Sequence, residues 1–240
     1  MAVSTLMIVL HACIPAVFLI IGGMIGSVYS LNAKAKSITQ HLVSGVVFAA
    51  VAVDLLPNIL ASGSPITVGG GFLVGVIVML SLMELTHRLE HRDETLKSLL
   101  PIGLLFAVLI DMFVDGILIG ISFLAGTESG GLITFALTTC VFFLGIATFT
   151  VLKERLVALP QQIIWMILLA VSMPVGALIG STVIKSLPEA WLIETLAFGV
   201  AALLYLGAEE LLVEAHKEED SPWITSAFFI GFLAILLLKL

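Results

Sequence analysis

Long apolar blocks, interrupted at short intervals by turn formers and charges, run the whole length of the chain. The blocks fall at roughly 4–30, 38–61, 66–86, 99–125, 130–152, 162–185, 189–215 and 222–239. Each reaches or approaches the about 20 predominantly apolar residues that a helix needs to cross a bilayer. The breaks between them are short: Asn32 to Lys36, Ser-Gly-Ser-Pro at 62–65, His87 to Lys97, Gly126 to Gly131 and Ala215 to Pro222. This pattern predicts an all-α, polytopic integral membrane protein of eight transmembrane helices. They form a single transmembrane domain over residues 1–240, with no linker and no low-complexity tract.

Composition narrows the class further. Hydrophobic residues make up 60% of the chain and charged residues 11%, whereas soluble domains sit near half apolar and a quarter charged. No large soluble domain fits in what remains. The formal charge of −7 is spread over helix ends without a basic stripe, which argues against a nucleic-acid partner and leaves the lipid bilayer as the first one. Cys13 and Cys140 both lie within apolar blocks and do not read as a disulfide framework. The N-terminus lacks a charged leader region and a small-residue cleavage site, so the first block is expected to be retained as a span.

Basic residues set the expected orientation. With the N-terminus outside, Lys34, Lys36, Arg88, Arg92, Lys97, Lys153, Arg155 and Lys217 fall inside and only Lys185 and Lys239 outside. Cytoplasmic loops carry the excess of Lys and Arg. A multi-pass protein of the cell or inner membrane with both termini outside the cytoplasm is therefore expected. An internal symmetry adds to this. Span 1 contains IPAVFLIIGGMIGS and span 6 MPVGALIGS, while span 2 (SGVVFAAVAVDLL) and span 7 (FGVAALLYLGAEELL) share a Gly-Val start and an acidic end. Spans 1–3 and 6–8 would then form an inverted repeat around spans 4 and 5, a 3+2+3 arrangement characteristic of secondary transporters with a midplane site.

Ionisable groups at membrane depth cost about 2.5–3.5 kcal/mol each on insertion scales, so each one calls for a reason. Asp111 and Asp115, in LLFAVLIDMFVDGILIGISF, are four residues apart and share one helical face. Two buried carboxylates so close must share a proton or hold a cation, and oxygen ligands suit hard divalent ions; the plainer alternative is a protonated pair that glues helices. Cys140, near the middle of span 5, is placed to face them, though free cysteine is also an ordinary buried hydrophobe. Asp54, in the outer half of span 2, reads either as the outer mouth of a path or as an interfacial carboxylate reaching water. At the opposite end Glu84, Glu209 and Glu210, with His87 and His91 beside them, form a mixed cluster suited to receive a departing metal. His11, Cys13 and His41 are weaker candidates. Glu214, His216 and the run Glu218-Glu219-Asp220 read as a solvated rim.

With these residues placed, the chain resembles the ZIP (Zrt/Irt-like) metal transporters. DMFVDGILIGISF is similar to that family's fourth-span motif HNxPEG and the apolar run after it. SGVVFAAVAVDLLP resembles the second span, PVGALIG the sixth and FGVAALLYLGAEELLVEA the seventh. The resemblance implies eight spans in the 3+2+3 arrangement, with Asp111 and Asp115 standing where the family places a histidine and a glutamate ligand. It also has departures. Met112 and Val114 replace the motif's asparagine and proline, Leu144 the bridging glutamate of the fifth span, and Met173 the glutamate of the sixth; Val47 stands where some members place a thioether. A mononuclear site is then implied rather than a binuclear one.

The expectation is a divalent cation transporter moving zinc, iron or manganese, with magnesium open, towards the cytoplasm. The metal is its substrate; no cofactor is expected, and a homodimer is open to it. No enzyme is expected: the GxGD motif of diaspartyl membrane proteases is absent, as is a Gly-x-Ser with a deep histidine. Two other readings compete. One is a ZIP-shaped protein that senses or scaffolds without transporting; the other is a proton-linked carrier of a different substrate, with the aspartates as a relay.

Overall fold

The computed structural model describes residues 4–29, 32–96, 101–183, 189–217 and 221–239. All elements among them are helical. Helix α1 is Thr5–Val28. Helix α2 runs Ala33–Ala50, passes through a π-helical turn at Val51–Leu55 and continues as Leu56–Ser62. Helices α3 (Pro65–Leu96), α4 (Ile102–Ala125), α5 (Thr127–Glu154) and α6 (Leu159–Val183) follow. Helix α7 runs Glu189–Tyr205, has its own π-helical turn at Leu206–Leu211 and ends as Leu212–Ala215; α8 is Pro222–Leu238.

Seven of these helices are long and apolar enough to cross a membrane, and α8, with 17 residues, is a shorter apolar helix. The protein is thus a multi-pass membrane protein, because only helices and closed barrels satisfy every backbone group away from water. Capping side chains start several of the helices. Ser4 Oγ accepts from Met7 N–H at 3.2 Å, and Asn32 Oδ1 from Ala35 N–H at 2.8 Å. Gly126 alone separates α4 from α5, so the break expected over residues 126–131 shrinks to one residue.

A second difference lies in α3. The polar stretch from His87 was expected to be a loop, but the helix continues through it to Leu96. A charged segment can stay helical beyond the apolar layer when acid and base sit one turn apart, as Glu84 and Arg88 do, their side chains 2.6 Å apart. Lys97 and Lys185 lie outside the described residues, as does the Glu218-Glu219-Asp220 run.

Helix α1 packs on α5 and α6, α4 on α6, α2 on α8, and α3 on α7. In lipid there is no hydrophobic force between helices, so close backbone approach through small residues has to hold them. A Cβ built on Gly22 of α1 would lie 2.1 Å from the Phe142 carbonyl oxygen of α5. On Gly116 of α4 it would lie 2.1 Å from that of Met173 in α6, and on Gly45 of α2 1.9 Å from that of Phe228 in α8. These positions tolerate glycine alone. The leucines, isoleucines and phenylalanines along the outward faces of α1, α3, α6 and α8 stay exposed, as a lipid-facing surface requires.

The two ends of the bundle are marked by polar contacts. At one, Lys36 at the start of α2 pairs with Glu214 of α7 at 2.5 Å, and Lys153 at the end of α5 donates to the Ser27 carbonyl at 2.8 Å. At the other, Lys239 beyond α8 bridges Asp54 of α2 and Glu128 of α5.

Candidate functional site

Helix α4 has one polar interruption in its central stretch, Asp111 and Asp115. Gly116 and Gly120, which follow, seat α4 on the backbone of α6 at Met173 and Ala177. That contact fixes the rotation of α4 and turns both acids inward, Asp111 half-buried and Asp115 buried. Asp115 Oδ2 has no hydrogen-bond partner. A buried polar atom without a partner is rare in folded proteins and marks a place where a proton, a water or an ion is wanted.

Between α2, α4, α5 and α7 lies a cavity of about 310 Å³. Its rim, at the Lys36 end of the bundle, carries Lys36, Thr39, Gln40 and Glu154. Deeper in, it is lined by Phe143, Leu144 and Leu206 and reaches Asp111 and Cys140, with Glu210 on the α7 wall. The cavity therefore joins one end of the bundle to the acids of α4. Asp115 lies one helical turn further along α4, beyond the lining residues. The Gln40 side-chain oxygen, on the rim, is also buried without a partner.

Local helix geometry accounts for Glu210. In the π-helical turn of α7 an extra residue is inserted into the helix, which re-aims the side chains that follow; such turns recur at functional positions. Ser44 of α2 supports the turn by donating to the Gly207 carbonyl at 2.9 Å. Glu209 and Glu210 both belong to the turn and are exposed, but Glu210 lines the cavity and Glu209 does not.

The other acidic candidates are dispersed. Glu84 and His87 lie exposed on α3; Glu84 pairs with Arg88, and neither residue lines the cavity. His91 belongs to the same helix, but its side chain lies outside the described residues. Asp54 sits on the π-helical turn of α2, buried, with Lys239 Nζ 2.8 Å from its Oδ1. Lys239 also reaches Glu128 Oε1 at 2.7 Å. Hydrogen bonds to Asp54 and then Glu128 hold the Lys239 ammonium above the usual lysine range. Asp54 is thus neutralised by a tethered cation at the end of the bundle opposite the cavity mouth.

The structure brings together Asp111, Cys140 and Glu210, with Asp115 one turn away, and separates these from Asp54, Glu84 and His87. Among the described residues, no three His, Cys, Asp or Glu side chains are grouped closely enough to hold a metal ion by themselves. Sequence reasoning missed the rim residues Thr39, Gln40 and Glu154. The only signal for Thr39 and Gln40 was their place between Lys36 and the apolar part of span 2. Glu214, read from the sequence as part of a solvated rim, has a carboxylate that meets both Lys36 and Lys217 and ties α2 to α7. No protein-family model and no curated protein matches the chain, so its function has to be argued from this geometry.

Proposed function

We propose that the protein is a transporter whose substrate is a divalent metal cation, taken up towards the cytoplasm and held at mid-depth by Asp111 and Asp115 with Cys140 and Glu210 close by. The observation that carries this reading is the cavity: it connects one end of the bundle to the only acids at the centre of α4. Its volume is room for at least about ten waters, enough for a cation still carrying its first hydration shell. At the floor the ion would exchange part of that shell for the aspartates, which in apolar surroundings need a positive charge or a proton. Two or three protein ligands with water completing the shell suit a mononuclear site for zinc, iron, manganese or magnesium.

The positive-inside bias places the Lys36 end in the cytoplasm and both termini outside. The conformation then has its cavity open inward while Lys239, Asp54 and Glu128 close the outer end. Helix packing supports the 3+2+3 inverted repeat. Exchanging α1 with α6, α2 with α7, α3 with α8 and α4 with α5 turns the α1–α5 pair into α6–α4, and the α2–α8 pair into α7–α3. All four of those pairs are among the closely packed ones. The π-helical turns of α2 and α7 are partners under the same exchange. This is the organisation that the resemblance to ZIP transporters implies, and no enzymatic step is part of the reading.

The test is uptake of manganese, iron, zinc and magnesium into proteoliposomes by wild type, Asp111→Asn and Asp115→Asn, with folding checked by size-exclusion chromatography. Either substitution should lower uptake at least tenfold. Wild-type uptake by both folded variants would remove the aspartates from the mechanism. A second reading, a proton-linked carrier of another substrate, draws support from the absence of a three-ligand group among the described residues and from the unpartnered Asp115 oxygen. Proton flux without any metal dependence would favour it.

A further inference from the structure

At the end of the bundle opposite the cavity mouth, two carboxylates share one ammonium. The Asp54 side chain, on the π-helical turn of α2, is 2% exposed, and that of Glu128, in the first turn of α5, is 77% exposed. Lys239, which follows α8, places Nζ 2.8 Å from Asp54 Oδ1 and 2.7 Å from Glu128 Oε1. Oxygens from two helices are thereby held within bonding reach of a single positive centre. Asn58 braces the arrangement. Its Nδ2 donates to the Asp54 carbonyl at 2.9 Å and to Ser129 Oγ, beside Glu128 in sequence, at 3.3 Å.

The lysine leaves this pair incompletely satisfied. Asp54 Oδ2 is buried and has no hydrogen-bond partner, although an ionised carboxylate accepts on both oxygens and a buried acceptor left open is costly. One ammonium also carries half the charge of two carboxylates. A hard divalent cation answers both deficits: it bonds oxygen at about 2.0–2.6 Å, takes carboxylates in mono- or bidentate fashion, and matches the charge of the pair. The position lies at the head of the bundle's closed half. Leu55, the residue after Asp54, joins Leu118, Ser122, Ile133 and Leu203 around a void of about 10 Å³, room for no more than a single water. These residues belong to α2, α4, α5 and α7, the same four helices that enclose the large cavity at the other end.

We propose that Asp54 and Glu128 form a binding site for a hard divalent cation such as Mn²⁺, Ca²⁺ or Mg²⁺, and that Lys239 is a tethered competitor that occupies the site between ions. The arriving ion takes Glu128 and both oxygens of Asp54, the ammonium swings away, and water completes the shell. A competitor on a short flexible link acts at an effective concentration in roughly the millimolar range. It lowers the apparent affinity without changing any ligand. Weak binding suits a loading station, because an ion that enters must also leave; that role rests on the transport reading, and the binding itself does not.

The test keeps the two apart by removing the central acids. Full-length protein in detergent carries Asp111→Asn and Asp115→Asn, with the free cysteines Cys13 and Cys140 replaced by serine and a nitroxide on Thr127→Cys, an exposed position next to Glu128. Mn²⁺ bound at the site should broaden the nitroxide spectrum, and distant Mn²⁺ should not. Lys239→Met should lower the Mn²⁺ concentration for half-maximal broadening at least tenfold, and adding Glu128→Gln or Asp54→Asn should cancel that gain. Glu128 is exposed, so Glu128→Gln can also be compared with the Lys239-containing parent if Lys239→Met does not fold; there it should raise the half-maximal concentration at least threefold. Broadening that is unchanged by Lys239→Met, or that Glu128→Gln leaves intact, would overturn the proposal. Loss of metal uptake on replacing the central acids has no bearing on this result, and a negative result here leaves the central acids in place.

Discussion

Gly116→Ala tests whether the seating of α4 on α6 sets the geometry of the acids. A Cβ at this position would lie 2.1 Å from the Met173 carbonyl oxygen, 2.9 Å from its carbon and 3.0 Å from Ala177 N. Carbon–oxygen contacts of this kind settle near 3.3 Å, so the two backbones would have to part by about 1.2 Å. No flexible side chain can yield in their place, because all three obstructing atoms are backbone. Overpacking costs about 1–3 kcal/mol, and the displaced helix also loses dispersion contacts with α6 along its length. Alanine's better helix propensity, worth about 1 kcal/mol, offsets part of this. The net expectation is a melting temperature several degrees lower in detergent. Uptake should also fall, because Asp111 and Asp115 move with α4 relative to Cys140 and Glu210. The control is Gly131→Ala on α5, where a Cβ meets nothing within 4 Å; it should be neutral or stabilising. A Gly116→Ala protein that melts and transports like wild type would show that this contact does not position the site.

Glu210→Gln should slow metal uptake while Glu209→Gln leaves it unchanged, since only Glu210 lines the cavity; equal rates in the two single variants would return both residues to the solvated rim. Lys239→Met should destabilise the protein by up to about 3 kcal/mol, because it leaves the Asp54 carboxylate buried without its cation. Adding Asp54→Asn should recover most of that loss in chemical denaturation, and an unaffected single variant would show the pair to be idle. The Lys239 ammonium is held above its usual range. Its contribution should therefore be complete below the usual lysine pKa of about 10.4 and disappear as pH rises through the higher folded value. Leu156→Gly should stabilise by about 1 kcal/mol in thermal melts. Leu156 closes α5 with φ at 57°, while the N–H groups of Leu156 and Val157 donate to the Lys153 and Leu152 carbonyls, a C-cap geometry that glycine adopts without strain. A lower melting point for that variant would contradict the strain argument.

Much of this architecture is legible in the sequence, for a reason specific to membranes. In lipid the backbone must satisfy itself, so an apolar block of the right length can only be a helix, and the order of blocks gives the order of helices. The acids of α4 were visible for the same reason: charge at that depth is costly enough to stand out. The four-residue spacing of Asp111 and Asp115 put them on one face without any knowledge of neighbours. Helix ends were less legible. The extension of α3 to Leu96 depends on helical side-chain pairing beyond the apolar layer, which hydrophobicity does not report.

Tertiary structure alone decided which side chains meet. Spacing along a helix fixes the relative angles of its side chains, but the rotation of the whole helix is set by backbone contacts such as Gly116 on Met173, and those involve residues remote in sequence. Asp54 and Lys239, separated by 185 positions, become an ion pair only because α2 packs on α8. Cys140 reaches the cavity that Asp111 floors, while Glu84, similar in sequence setting to Glu210, is left exposed on α3. The two π-helical turns add a further shift that no periodicity of 3.6 anticipates: an extra residue in each re-aims Asp54 and Glu210 away from the faces a regular helix would give them. The rings of His41 on α2 and His216 after α7, their centroids 5.0 Å apart, meet for the same reason, a crossing of two helices remote in sequence.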